Sequence, residues 1–172
     1  NHEMNNTQGS IRAHGAIGAF VSEWIINKST LSVVSGNDLI QTIYGWDATN
    51  QVVGSALRAT ALTRLCAADL PPVSAFYNAG TGLGTQNRIF MNGEEGGSTG
   101  WAFGNVATGP DKGKSYILGK FNLATNGSGI SAVGGWENVV ASPFAQNKTV
   151  VIGLNDGGTG VMNNTVNVYV GT

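Results

Sequence analysis

The sequence predicts an all-β protein on the strength of three observations. The 172-residue chain has 26 glycines and an excess of asparagine and threonine, a composition typical of short strands joined by tight turns. Short apolar, β-branched runs recur along almost the whole chain. Dense turn signals such as "TGPDKGK" and "NDGGTG" separate these runs. This pattern predicts a sandwich, a barrel or a propeller.

Each predicted strand is a β-rich run bounded by turn residues. In chain order the predicted strands cover 18–26, 31–36, 38–46, a strand–glycine turn–strand unit within 74–93, and then 100–107, 114–121, 136–142, 148–154 and 165–171. One window differs from the rest. Residues 54–65 contain Leu57, Ala61 and Leu65 at four-residue spacing and no proline, which predicts a short helix. The two prolines of "CAADLPP" then end regular structure.

A repeated design favours the propeller among the all-β folds. "RIFMNGEE" (88–95) and "TVVIGLND" (149–156) are both apolar strands followed by a small or Asn residue and then an acid, and "NHEM" resembles the tail of a third unit. A propeller brings equivalent strand ends together around one axis, where carboxylates converge on a hard cation. At about 40–45 residues per blade, we expect residues 1–172 to form a single segment of about three to four antiparallel blades.

Charge and hydropathy argue against nucleic-acid binding and against a membrane-spanning helix. The formal net charge is −1 and only 11% of residues are charged, with no basic cluster to neutralise phosphates, which argues against nucleic-acid binding. No apolar stretch approaches the length of a membrane-spanning helix. The single cysteine, Cys66, excludes an internal disulfide. Both ends of the sequence read as cut through structure, so we expect a mature or clipped piece, or a fragment of a longer reading frame. A surface this poor in charge is more common outside the cell, which favours a periplasmic or extracellular setting.

The acid pair Glu94–Glu95 is the first candidate for a functional site. The chain has only ten acidic residues, and these two are adjacent at the exit of an apolar run. Adjacent like charges repel unless they lie in open water or beside a cation. The pair is therefore either a solvated turn or part of a metal site.

An ordered set of segments resembles a known family. The segments are "NHE", "RAHGAIGAFVSEW", "CAADLPPVSAFYN", "RIFMNGEE", "LGKF", "WENVVASP" and "TVVIGLND…VNVYVGT". Together they resemble secreted bacterial alkaline-phosphatase-like β-propeller proteins, which are related to the PhoX-type phosphatases. The resemblance spans essentially the whole chain. It implies a propeller of about six blades that binds calcium and iron at its central channel and hydrolyses phosphate esters.

The resemblance also implies a set of metal ligands. Carried over by position, the candidate ligands are Glu3, Glu94, Glu95, Glu137 and Asp156, with Cys66 matching the thiolate that binds iron. The chemistry agrees with this set, because calcium takes six to eight oxygen ligands whereas a thiolate suits iron. The implied partners are a small phosphorylated substrate and the remaining blades of the propeller.

Several of these residues also have an alternative, non-metal interpretation. A lone cysteine such as Cys66 is often a small buried hydrophobe. Glu137 also fits an ion pair with a nearby lysine, and Asp156 fits ordinary turn chemistry. Arg12 and His14 are candidate phosphate contacts, because a guanidinium matches a pair of phosphate oxygens. Surface solvation for Arg12 and structural hydrogen bonding for His14 are the alternatives.

The chain departs from the family pattern at two positions. The resemblance implies an aspartate in the relatives where this chain has Asn155, and an arginine where it has Trp101. The first change removes a negative charge, and the second removes a phosphate contact. The competing function is therefore a calcium-stabilised extracellular propeller without catalysis, serving as a scaffold or binding module.

Overall fold

The computed structural model describes residues 1–47, 49–57, 60–66, 68–95, 100–118, 135–155 and 166–171. The strands are β1 (Ser22–Ile26), β2 (Val33–Asp38), β3 (Thr42–Asp47), β4 (Val52–Leu57), β5 (Tyr77–Asn78), β6 (Leu83–Gly84), β7 (Ile89–Gly93), β8 (Ala102–Val106), β9 (Lys114–Ile117), β10 (Trp136–Ala141), β11 (Thr149–Asn155) and β12 (Val166–Gly171). A short 3₁₀ helix covers Val73–Ala75.

These strands form four sheets. The largest has the order β4-β3-β9-β8-β7, and its neighbours are antiparallel except for the parallel pair β3 and β9. β10, β11 and β12 form an antiparallel three-stranded sheet, while β1–β2 and β5–β6 are two-stranded. The all-β prediction is confirmed. The strands of the described ranges do not close into a barrel or a propeller.

The five-stranded sheet is a central layer with a core on each face. Every residue of β8 is buried, and successive side chains of a strand point to opposite faces. Phe103 packs into one core with Ile43 and with buried residues of the N-terminal part of the chain. Its neighbour Ala102 packs into the other core, against Trp136 and Val139 of the three-stranded sheet.

The predicted helix over 54–65 is wrong. β4 continues to Leu57, and residues 60–65 form neither a helix nor a strand, with isolated bridges from Leu62 to Gly18 and from Leu65 to Glu94. Both leucines are fully buried because the segment lies against distant strands, and its backbone groups pair with those strands rather than along a helix. No helix in the described part of the chain is long and apolar enough to cross a membrane.

The two larger sheets meet where β10 packs on β7. The indole nitrogen of Trp136 donates to the Gly100 carbonyl at 3.1 Å, and the Trp136 backbone N–H donates to the Glu94 carbonyl at 2.9 Å. A Cβ atom at Gly93 would overlap Trp136, so glycine permits this close approach. The contact fixes the exit of β7, where the acid pair lies.

Candidate metal centre

Three chain segments that are far apart in sequence lie side by side at the exit of β7. The Cys66 N–H donates to the Gly93 carbonyl at 3.2 Å, and the Glu95 N–H donates to the Arg64 carbonyl at 2.8 Å. The Arg64 N–H donates to the Met4 carbonyl at 3.0 Å. These backbone bonds place the N-terminal segment, the segment before Cys66 and the acid pair next to one another.

Strand alternation sorts the side chains of these segments into two sets. Leu65 and Glu94 form an antiparallel bridge, and residues opposite each other in such a pair project to the same face. Both are buried, so this face points into the protein. Their sequence neighbours Cys66 and Glu95 project to the other face, and the Arg64 side chain reaches the same region, with its Nη1 3.8 Å from Glu95 Oε2. Glu94 therefore faces the interior of the protein, and Glu95 faces the opposite side.

The second set contains a compact group of potential metal ligands, Glu3, Cys66 and Glu95. The Cys66 Sγ lies 2.6 Å from Glu3 Oε1 and 2.7 Å from Glu95 Oε2. One ligand atom from each residue lies within 4.8 Å of those of the other two. Cys66 and Glu95 are half-buried and Glu3 is exposed, so the group is open to solvent on one side.

The chemistry of this group fits a transition-metal ion. A thiol has one proton and cannot donate to two carboxylates at once. Burial raises the pKa of the Cys66 thiol, and the hydrogen bonds to Glu3 and Glu95 raise it further. A cation among the three would neutralise the carboxylates and favour the thiolate. A thiolate donor suits a transition-metal ion, whereas calcium takes oxygen ligands.

Glu94 has a different environment, inside the protein. Its Oε1 accepts the Thr63 N–H at 2.8 Å and its Oε2 accepts the Trp101 N–H at 3.0 Å. Burial raises the pKa of Glu94, against the opposing effect of these two N–H donors. Trp101 packs edge-on against Phe103. Glu94 thus joins three loops and is not a member of the Glu3–Cys66–Glu95 group.

A chain of amide side chains supports the N-terminal segment. Asn105 donates to the side-chain oxygen of Asn92 at 2.8 Å, and Asn92 donates to that of Asn1 at 3.2 Å. The Asn1 amide in turn donates to the Cys66 carbonyl at 3.5 Å. Asn92 and Asn105 are fully buried, so the network is anchored in the core. It holds the segment that carries Glu3 beside Cys66.

Arg12 contacts a different set of residues, Asp38 and Phe20. Its Nη1 is 3.7 Å from Asp38 Oδ1, and its guanidinium carbon is 3.4 Å from the ring centroid of Phe20. The His2 ring stacks on the same Phe20 ring at 4.0 Å. Two groups this close to one ring centroid occupy opposite faces of it, so Phe20 is held between His2 and Arg12.

His14 is buried close to the same pair of charges. Burial lowers the pKa of His14, while the Thr60 backbone and the Asp38 carboxylate act in the opposite direction. The structure does not bring His14 or Arg12 into the group around Cys66. Their role as phosphate contacts stays a prediction.

The six predicted metal ligands lie in different places, and Glu94 is buried outside the group. The structure brings Glu3, Cys66 and Glu95 together. Glu137 is exposed on β10, outside this group. Asp156 lies outside the described residues.

Sequence reasoning missed Arg64, whose Nη1 lies 3.8 Å from Glu95 Oε2. The sequence carried no signal for this contact, because Arg64 has a φ of +30° and strand alternation does not predict where its side chain points.

Comparison of the chain with protein families, with curated proteins and with solved structures found no match. The function proposed below therefore rests on the geometry of this centre and on the resemblance of the sequence.

Proposed function

We propose that this chain forms part of a metal-dependent phosphoesterase of the secreted β-propeller type, with iron held by Glu3, Cys66 and Glu95. One observation carries the proposal: a thiol and two carboxylates from separate segments converge within 4.8 Å. A bound metal ion would supply positive charge to phosphoryl oxygens during in-line displacement of a phosphate ester. The substrate class is a small phosphorylated molecule, and the setting is periplasmic or extracellular.

Each side chain of the centre has a separate task in this proposal. Glu3 and Glu95 provide negative charge to the ion, and Cys66 selects a transition metal over calcium. Glu94 holds the exit of β7 by its two backbone contacts, which keeps Glu95 turned towards Cys66. Calcium would need a separate, oxygen-only site, for which Glu137 and Asp156 remain candidates.

The propeller arrangement is part of the same proposal. Two observations support it: β10 packs against β7 through the buried cluster of Met91, Trp136 and Val139, and the outer face of the three-stranded sheet is apolar. Val140, Ile152 and Val168 are paired across that outer face and are each about half exposed. In a propeller the neighbouring blade would cover such a face.

A calcium-stabilised propeller without catalysis is the second candidate. It is favoured by the environments of Arg12 and His14, since Arg12 pairs with Asp38 and stacks on Phe20 while His14 is buried. A chain that binds calcium, gains stability from it and hydrolyses no phosphate ester would agree with this candidate.

Metal loading tests the proposed function. The chain is loaded anaerobically with ferrous iron, with and without calcium, and bound metal is measured by mass spectrometry. We expect one iron per chain, a thiolate-to-iron absorption band after oxidation, and hydrolysis of p-nitrophenyl phosphate. At about 100 times its Kd, iron should add about 2.7 kcal/mol to the free energy of unfolding.

Substitutions at Cys66 and Glu95 test whether the Glu3–Cys66–Glu95 group is the site of iron binding. Cys66→Ser should remove the absorption band, and Glu95→Gln should abolish stoichiometric iron binding. Glu23→Gln is the matched control, because Glu23 pairs with Lys112 at the surface. Iron binding that survives in Cys66→Ser and Glu95→Gln would contradict the proposed centre.

A further inference from the structure

The backbone of Arg64 is fixed between two segments that carry members of the group. Its N–H donates to the carbonyl of Met4, which follows Glu3, and its carbonyl accepts the N–H of Glu95. Its φ angle is +30°, a conformation that non-glycine residues seldom adopt and that the surrounding structure must hold in place. The base of the side chain is therefore tied to the geometry of the group.

The guanidinium of Arg64 is only loosely held. Its Nη1 lies 3.8 Å from Glu95 Oε2, beyond hydrogen-bond distance, and the side chain is 51% exposed. An ion pair of this kind in water contributes little to stability. The same Oε2 atom also contacts Cys66 Sγ. A cation at the group would share this carboxylate, leaving the guanidinium donors available to an anion from solvent.

The net charge of the metal-loaded group indicates which ligand the Arg64 guanidinium would bind. Two carboxylates and one thiolate carry three negative charges, so a divalent ion leaves the group with a net negative charge. A phosphate would be repelled there unless a cation stood beside it. Within the described part of the chain, Arg64 is the only basic side chain that forms an ion pair with a member of the group.

We propose that Arg64 binds the phosphate of the substrate at the metal centre proposed above, with its guanidinium donating to two phosphoryl oxygens. Guanidinium groups match phosphate oxygens in this bidentate way, whereas lysine provides only a point charge. Arg64 takes the role that the sequence suggested for Arg12. Arg12 is held by Asp38 and by the ring of Phe20.

Phosphate binding by the metal-loaded chain tests this role. The dissociation constant of inorganic phosphate is measured by isothermal titration calorimetry on the iron-loaded chain, and bound iron is measured in each sample. We expect Arg64→Gln to keep its iron and to weaken phosphate binding by about 10- to 100-fold. Arg64→Lys should recover part of this loss, because it restores charge without the planar pair of donors.

Two further variants complete the test. Lys112→Gln, the matched control, removes one positive charge from an exposed pair with Glu23 and should leave phosphate binding within about twofold of the original. Arg12→Gln tests the competing site. Full phosphate binding in iron-loaded Arg64→Gln, or an equal loss in Lys112→Gln, would overturn the role of Arg64 and leave the metal centre standing. A chain that binds no iron would overturn both proposals.

Discussion

Glu94 and Glu95 are adjacent in the sequence and have opposite surroundings. Strand alternation turns Glu94 into the protein, where two backbone N–H groups hold it, and turns Glu95 towards Cys66. The sequence raised the possibility of a metal site at this pair without separating its members. The distinction needed the bridge between Leu65 and Glu94, a pairing of distant residues that no local pattern contains.

The buried carboxyl of Glu94 predicts a pH dependence of stability. Burial raises its pKa above the ordinary value of 4.5, so the folded state binds this proton more tightly than the unfolded state. The stability contributed by protonation is fully present below pH 4.5 and is lost as the pH rises through the raised pKa. Glu94→Gln has the same shape and cannot ionise. The stability of the original chain relative to Glu94→Gln should therefore fall as the pH rises.

Urea unfolding of both chains from about pH 4 to pH 7 measures this difference. Comparing the two chains at each pH removes the effects of the other carboxylates. A difference that stays constant over this range, or that grows with pH, would show that burial does not dominate the environment of Glu94.

The contact between β7 and β10 gives a prediction at the scale of elements. An alanine Cβ at Gly93 would overlap the Cβ of Trp136 and lie 3.0 Å from Val139 Cγ2, and both partners are fully buried. Overpacking of this kind costs about 1–3 kcal/mol. We expect Gly93→Ala to lower the free energy of unfolding by this amount in a denaturant titration.

Gly104 on β8 is the matched control. Its added Cβ would lie 3.5 Å from Ile89 Cγ2, an ordinary contact, at the wall of a cavity of about 340 Å³ between the two sheets. Gly104→Ala should change stability by no more than about 0.5 kcal/mol. Equal costs for the two variants would show that the two sheets are not closely packed at Gly93.

The element predictions succeeded where the local pattern was strong. Each predicted strand region contains an observed strand, because β-branched runs between turn residues suit only a pleated, half-buried segment. The window 54–65 failed because Leu62 and Leu65 are buried in the core with Phe103 while their backbones bridge distant residues, and such tertiary contacts override helix propensity. The parallel pairing of β3 with β9 could not be predicted either, because a local sequence pattern does not specify a distant strand partner.

The described residues form stacked layers, and the three-stranded sheet has an extended apolar face open to solvent. The three-stranded sheet covers the central sheet with one face. Its outer face carries seven aliphatic residues that are in register across the three strands, namely Val140, Val150, Ile152, Leu154, Val166, Val168 and Val170. Six of the seven are classed among the exposed large hydrophobic residues of the chain. Such a face is a site for association with another surface.

The exposed face predicts that the isolated chain self-associates. Among the described strands β12 ends this sheet, and its valines would lose their contact with water against another copy. Light scattering across a dilution series should show a mass that rises with concentration. Val168→Lys places a charge on this face, at the middle of β12, and should shift the chain towards the monomer, with an unchanged far-ultraviolet circular dichroism spectrum.

Val52→Lys is the control for that substitution, because Val52 is a similarly exposed valine on β4, the edge strand of the other large sheet. If the face of β10–β12 drives association, Val52→Lys should associate as the original chain does. A monomeric original chain at every concentration would show that the aliphatic face does not bind another copy. If Val168→Lys and Val52→Lys reduce association equally, the face of β10–β12 is not the specific site. Association would then depend on the general hydrophobicity of the surface, which one added charge reduces at either position.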